Sequence, residues 1–166
     1  MIILGIDPGL AIVGYGVIDY TPPNFTVIAY GAITTPAHTK VEDRLSLIYD
    51  GINALIDKYH PAEIAIEELF FTNNITTGIS VAEARGVILL AAKRKQLGIF
   101  EYTPLQVKQS VVGYGKAEKK QVQMMVKTIL KLEKMPKLDD TADALAIAIC
   151  HAHTGISRIK SFYNQK

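Results

Sequence analysis

The chain has 166 residues, of which 49% are hydrophobic and 20% charged, with a formal net charge of +2 and a single cysteine. This composition predicts one globular domain with its own core, and it excludes an internal disulfide and a zinc site built from several cysteines. No apolar run approaches the ~20 residues of a membrane span and no secretory signal is recognisable at the start, so we expect a cytoplasmic protein.

The small net charge conceals an uneven distribution along the chain. Residues 93–137 hold eleven Lys and Arg residues and three acids, a balance of +8, whereas the remainder has a balance of −6. A concentrated basic segment suits a polyanion such as nucleic acid. A solvated, lysine-rich helix face would give the same count, so charge alone leaves both interpretations open.

Hydrophobic periodicity and turn residues predict the elements in chain order. The predicted strands cover residues 2–7, 13–20, 25–34, 62–67 and 99–102. The predicted helices cover residues 41–59, 79–97, a segment beginning at Thr103-Pro104, 117–132 and 140–153. Short links between the first three strands indicate antiparallel pairing. The order βββαβαβααα predicts an α/β domain with a mixed sheet over residues 1–155, followed by a short basic tail at 156–166.

Four acidic residues stand at the ends of otherwise apolar elements. Asp7 closes the first strand, Glu67 closes the fourth, and Asp140 and Asp143 lie on one face at the start of the last helix. Each acid alone also fits a structural role, as a turn residue or as a favourable charge at a helix N-terminus. As a set, clustered carboxylates repel one another, and Mg²⁺ bound by oxygen ligands would neutralise them.

Strand alternation separates these acids from their neighbours. Asp7 shares a strand face with Gly5, and Glu67 shares one with Ala65, so small side chains leave room for a metal or ligand beside each acid. Glu68 falls on the opposite, apolar face of its strand and is the weaker candidate. Asp7 and Glu67 are therefore the strand carboxylates that the pattern favours for chemistry.

Other kinds of site have less support in the sequence. The chain lacks a GxxxxGK[ST] phosphate loop, and His151 and His153 are two apart, whereas a helical zinc pair is usually four apart. No nucleophilic Ser or Cys stands with an evident base. These absences leave the carboxylates as the main chemical signal.

Five segments match the pattern of one known family, in order and over almost the whole chain. They are GIDPG at 5–9, AIEELFF at 65–71, ARGVI at 84–88, QVKQSVVGYGKAEKKQV at 106–122 and DDTADALAIAI at 139–149. These segments resemble the RuvC family of Holliday junction resolvases. The resemblance implies an RNase H-like fold with a five-stranded mixed sheet between helices. It also implies a magnesium-dependent homodimer that cuts two strands of a four-way DNA junction, with Mn²⁺ as a substitute metal and a branch-migration motor of the RuvA-RuvB type as partner.

The resemblance also assigns roles to individual residues. The family's four metal-binding catalytic acids correspond to Asp7, Glu67, Asp140 and Asp143, although Asp139 leaves two adjacent candidates for one position. A family aromatic that lies against the junction bases corresponds to Phe70, which Phe71 follows directly. Basic residues that the family uses correspond to Lys108 and Lys119. Lys116 and Lys120 join them as DNA-binding candidates because they lie on the lysine-rich side of the predicted 117–132 helix.

We expect the acids to support hydrolysis with two metal ions ~3.5–4 Å apart. Asp7 would bridge both ions, Glu67, Asp140 and Asp143 would complete their coordination, and Lys119 would stabilise charge on the phosphoryl group. The products would carry 5′-phosphate and 3′-hydroxyl ends. The run VILLAA at 87–92 is apolar all round, and we expect it to form the dimer contact.

Three rival interpretations remain open from the sequence. An actin-like ATPase or sugar kinase also begins with a strand, an Asp and glycines, but it needs two such lobes. A non-catalytic DNA-binding module would not need four intact acids. A different RNase H-like nuclease would act on RNA–DNA hybrids, and only its substrate distinguishes it.

Overall fold

The computed structural model describes the backbone of residues 1–69 and 75–163, and the side chains of residues 1–69 and 78–155. The strands are β1 (Ile2–Asp7), β2 (Ile12–Thr21), β3 (Asn24–Thr34), β4 (Glu63–Glu67) and β5 (Gly98–Tyr102). The helices are α1 (Val41–Tyr59), α2 (Ile75–Arg94), α3 (Pro104–Val112), α4 (Lys119–Ile129) and α5 (Asp139–Tyr163). The predicted order of strands and helices is confirmed.

Three helix boundaries differ clearly from the prediction. The sequence predicts that the second helix begins at residue 79, after a polar stretch, whereas α2 already begins at Ile75. The same helix ends at Arg94 and not at residue 97, because Gln96 adopts a left-handed conformation with φ 61°. Helix α5 continues to Tyr163, so its backbone extends into the segment predicted as a tail.

The five strands form one mixed sheet in the order β3-β2-β1-β4-β5. Strands β1, β2 and β3 are antiparallel neighbours, whereas β4 runs parallel to β1 and β5 runs parallel to β4. This topology is the RNase H-like arrangement that the resemblance implies.

Helices cover both faces of the sheet. Helices α1 and α2 pack on the face that carries Leu4 and Ile6, and α3, α4 and α5 pack on the face that carries Ile3 and Ala65. The alternation read from the first and fourth strands is therefore confirmed. Among the described residues, no helix combines the length and apolar character needed to cross a membrane.

Helix α5 lies against β1 and β2 at unusually close range. A Cβ atom on Gly5 would stand 2.2 Å from the carbonyl oxygen of Ala144, and one on Gly14 would stand 2.0 Å from that of Asp140. Glycine is needed at both positions because any side chain would displace the helix backbone. This contact fixes the N-terminal turn of α5 beside the end of β1.

Helix α3 begins where the sequence predicts. The Thr103 hydroxyl accepts a hydrogen bond from the Gln106 amide at 3.1 Å, and the Gln106 side chain accepts one from the Thr103 amide at 2.8 Å. Pro104 occupies the first turn, where its missing N–H costs nothing. This capping box orients α3 and hence Lys108 on its second turn.

Candidate active site

The four predicted acids converge at one end of the sheet. Strands β1 and β4 are parallel neighbours with Ile6 opposite Ile66, so the next residues, Asp7 and Glu67, close adjacent strands side by side. The close contact of α5 with β1 and β2 brings Asp140 and Asp143 to the same edge. Residues distant in sequence thus form one carboxylate cluster.

The electrostatics of Asp7 show how close these groups are. Burial, followed by the negative charges of Glu67, Asp143 and Asp140, raises the pKa of Asp7 from 3.8 to about 8. Lys119 opposes this shift, but it does not cancel it. The cluster therefore holds more negative charge than its protein surroundings neutralise.

Glu67 and Asp143 respond in the same direction. Burial and then the charge of Asp143 raise the pKa of Glu67, while Lys119 and Lys108 lower it. Burial also raises the pKa of Asp143, against the hydrogen bond and positive charge of Lys119. Three of the four carboxyl groups thus favour a bound cation, whether a proton, an ammonium group or a metal ion.

Lys119 is the ammonium group that reaches the cluster. As the first residue of α4, it places Nζ 3.0 Å from Asp143 Oδ2 and 3.3 Å from Asp139 Oδ2. Burial lowers the pKa of Lys119, but the hydrogen bond and charge of Asp143 outweigh it and raise the pKa above its ordinary value. The position of Lys119 beside Asp143 is consistent with its predicted role near the reacting phosphoryl group.

The structure separates the two adjacent aspartates. Asp139 is exposed and accepts hydrogen bonds from Lys119 and, at 2.9 Å, from the side chain of Gln123. The hydrogen bond from Lys119 lowers the pKa of Asp139. Asp140 is half-buried, and its charge contributes to the raised pKa of Asp7. Asp140 therefore belongs to the carboxylate cluster, and Asp139 belongs to the lysine contact beside it.

The predicted DNA-binding residues occupy different positions relative to the acids. Lys108 and Lys119 line a cleft of about 190 Å³ together with Glu67 and Asp143. Lys116 and Lys120 are exposed, and they form no hydrogen bond or ion pair with the residues that the structure describes. Phe70 and Phe71 lie outside the described residues.

The donor set suits a hard divalent cation. Carboxylate oxygens are the ligands that Mg²⁺ prefers, and burial followed by the neighbouring negative charges raises the pKa of Asp7, so this group favours a nearby cation. The described acids do not form a ready-made cage, since no group of three acidic, histidine or cysteine side chains is placed to hold an ion. The described acids could therefore hold a metal ion only after their side chains adjust.

Arg85 is a supporting residue that the sequence reasoning did not single out. Its Nε donates a hydrogen bond to the main-chain oxygen of Glu67 at 3.3 Å, and its guanidinium pairs with Glu101 on β5. Arg85 thus ties α2 to the ends of β4 and β5. The sequence feature that could have identified Arg85 is its position before the apolar stretch of α2.

The cluster predicts a specific pH dependence of stability. Asp7 has a pKa of about 8 in the folded protein and an ordinary value of 3.8, so its ionisation removes stability as pH rises between those values. Without divalent ions, we expect Asp7→Asn to unfold at a higher temperature than the parent, with a difference that grows from about pH 5 to about pH 8. Thermal unfolding followed by circular dichroism in EDTA measures this effect.

An acid outside the cluster provides the control for that measurement. Asp50 is exposed on α1, and Asp50→Asn should follow the parent at every pH. If the parent and Asp7→Asn differed by a constant amount across the range, Asp7 would not be titrating there.

Comparison with known proteins identifies relatives over nearly the full chain. The family model described as "Crossover junction endodeoxyribonuclease RuvC" matches residues 3–151. Curated proteins of that name include one from Clostridioides difficile, 58% identical over 154 residues, covering 93% of this chain and 91% of the relative. Another from Alkaliphilus oremlandii is 60% identical over 155 residues and covers 93% and 94% of the two chains.

Solved structures agree with this match. The structure of T. thermophilus RuvC in complex with Holliday junction substrate superposes with a TM-score of 0.89 at 32% identity, covering 93% of this chain and 94% of that one. The yeast mitochondrial Holliday junction resolvase Ydc2 has a TM-score of 0.70 at 14% identity, with coverage of 98% and 85%, which concerns the fold alone. Fold, family model and sequence identity lead to one conclusion: this chain belongs to the RuvC family.

Proposed function

We propose that this chain is a Holliday junction resolvase, a metal-dependent endonuclease that cuts two strands of a four-way DNA junction in recombination and repair. The observation that carries the proposal is the convergence of Asp7, Glu67, Asp140 and Asp143 at one sheet edge, where burial and then the charges of the other three acids raise the pKa of Asp7 to about 8. Relatives named as crossover junction endodeoxyribonucleases supply the substrate class. The family match over residues 3–151 disfavours the ATPase interpretation.

The four acids are the proposed ligands of Mg²⁺, two ions per site, with Mn²⁺ as a substitute. Bound metal would lower the pKa of a water nucleophile and offset charge on the departing 3′ oxygen, which leaves 5′-phosphate and 3′-hydroxyl ends. Asp7 is the proposed bridging ligand because it is the residue on which the charges of the other three act. Asp140, not Asp139, is the proposed helix ligand, since Asp140 is half-buried and its charge acts on Asp7, whereas Asp139 is exposed.

Lys119 has the proposed role of stabilising negative charge on the phosphoryl group. Its Nζ stands 3.0 Å from Asp143, at the rim of the cleft that it shares with Lys108. With a cation held by the acids, the Lys119 ammonium group would be available to a phosphate oxygen. Lys108, whose charge already acts on Glu67, would contact the same strand.

Binding of the rest of the DNA is proposed to depend on phosphate contacts. Lys116 and Lys120 are exposed next to the Lys119 end of α4, where they can reach the backbone of a bound strand. Such contacts release counterions and give a strong salt dependence. Phe70 is the proposed base-stacking residue at the junction.

A homodimer is proposed because two symmetric sites suit two symmetric junction strands. On α2, Ile79 and Leu90 are each 52% exposed, and Gly86 between them has open space around it. These positions lie on one helix stripe and allow close approach of a second copy. Ile88 is fully buried in the chain's own core, so the expected contact is this stripe and not the whole 87–92 run. A motor of the RuvA-RuvB type is the proposed further partner.

The experiment that tests the proposed function compares two substrates. In Mg²⁺, we expect the purified chain to introduce paired, ligatable nicks in a mobile four-way junction and to leave an RNA–DNA hybrid duplex intact. Denaturing gels and a ligation step measure both results. Preferential cutting of the hybrid would favour the other RNase H-like nuclease and contradict the resolvase proposal.

A further inference from the structure

Arg44 is a half-buried arginine next to the loop that follows Asp7. It lies in the first turns of α1, and its Nε donates a hydrogen bond to the Thr35 hydroxyl at 2.8 Å. Thr35 is 8% exposed, and its own hydroxyl donates to the main-chain oxygen of Leu10 at 2.6 Å. The Thr35 amide also donates to the Ala11 oxygen at 3.0 Å. Arg44 is therefore oriented by the loop that follows Asp7.

The remaining N–H groups of this guanidinium lack a protein anion. Arg44 is half-buried, yet no carboxylate of a described residue lies within ion-pair distance of it. One of its five donors is used by Thr35, which leaves the planar fork for another acceptor. A partly desolvated guanidinium without a counterion is a site that favours a bound anion, and its geometry suits phosphate.

Arg44 faces a cleft that borders the carboxylate cluster. This cleft, of about 470 Å³, is lined by Gly9, Leu10, Ala11, Arg44, Ser80 and Asp140. The cleft of Lys108 and Lys119 is lined by Glu67 and Asp143. Each cleft thus combines acids of the cluster with at least one basic side chain, so a strand crossing the acids would meet a basic side chain in both clefts.

We propose that Arg44 binds a phosphodiester group of the cleaved DNA strand next to the scissile phosphate. The inference rests on the proposed function, because that function requires a strand to cross the acids. The carboxylate of Asp140 in the same cleft would repel a phosphate, so this binding strengthens when a divalent cation neutralises the acids. Arg44 therefore fixes the register of the strand over the acids.

Binding measurements with non-cleaving protein test this assignment. In an Asp7→Asn background with Mg²⁺, we expect Arg44→Gln to weaken junction binding about 5–10-fold and to reduce the salt slope by about one. Arg44→Lys should weaken binding less, since it keeps the charge and loses the planar fork. The control is Lys58→Gln, which removes the same charge from an exposed position at the other end of α1.

A scan with neutral methylphosphonates locates the contact. Each phosphate near the scissile position is replaced singly, and binding of the parent and of Arg44→Gln is compared. At one phosphate adjacent to the scissile phosphate, the replacement should weaken DNA binding by the parent and should not weaken binding by Arg44→Gln any further. If the loss of affinity caused by the methylphosphonate and the loss caused by Arg44→Gln add at every position, the assigned phosphate contact is wrong.

The outcomes separate this inference from the proposed function. Junction cleavage by the parent in Mg²⁺ tests the function alone. If the parent cuts junctions and Arg44→Gln binds them as Lys58→Gln does, only the Arg44 assignment fails. Should Arg44→Gln not fold, Arg44→Lys decides, because parent-like binding at every methylphosphonate position would overturn the bidentate contact.

Discussion

We expect the replacement of Asp7 by Asn to abolish junction cleavage and to leave junction binding close to that of the parent. The substitution removes the charge of the acid that lies among Glu67, Asp140 and Asp143 and interacts with all three. An amide cannot supply the anionic oxygen that a bridging ligand requires. We expect the single-turnover cleavage rate in Mg²⁺ to fall by at least about 10²–10³-fold, the range seen when a main electrostatic group is lost from a reaction centre.

The measurements separate catalysis from folding and from binding. Cleavage of a labelled four-way junction gives the rate, and gel-shift titration of the same junction gives the affinity. Asp50→Asn, an exposed acid on α1, should match the parent in both. Full cleavage by Asp7→Asn would remove the assignment of the metal ligands, even if the family membership stands.

The face on which each acid lies could be predicted from the sequence because it depends on short-range rules. Strand alternation placed Asp7 with Gly5, and the spacing of three placed Asp140 and Asp143 on one helix face. Local pattern cannot say how two elements pack, so the close contact of α5 with Gly14 was not predicted. The sequence favoured Asp140 over Asp139, but the contacts of Asp139 with Lys119 and Gln123 could not be predicted because they depend on the position of α4.

Other features of the site depend on contacts between distant segments. The link from Arg44 through Thr35 to the loop after Asp7 joins three regions that carry no shared motif. The hydrogen bond from Arg85 to the Glu67 main chain likewise needs the packing of α2 on β4. Side chains of this kind are found only once the fold places their partners.

The contact between Gly5 and α5 predicts the second large effect, on stability and activity together. In Gly5→Ala, the new Cβ would stand 2.2 Å from the Ala144 oxygen and 2.9 Å from the Ala148 nitrogen. Both are main-chain atoms, so no side-chain rotation relieves the clash and α5 must move. We expect a loss of about 1–3 kcal/mol or more in the free energy of unfolding, although alanine is intrinsically favoured over glycine in a strand by about 0.5–1 kcal/mol.

The displacement should also separate Asp140 and Asp143 from the strand acids. A shift of about 1 Å can cost about 10²-fold in rate, so cleavage should fall under conditions where the variant is still folded. Urea unfolding and junction cleavage of the same preparation measure the two effects.

The control variant changes a glycine in α5, the helix that Gly5→Ala would displace. Gly155 has nothing within 4 Å of its Cβ position, so Gly155→Ala should stabilise α5 by up to about 1 kcal/mol through helix propensity and leave the cleavage rate unchanged. If Gly5→Ala were as stable as the parent, the helix would have room that these distances exclude. If it were destabilised but cut junctions at the parent's rate, the position of α5 would not control the geometry of the acids.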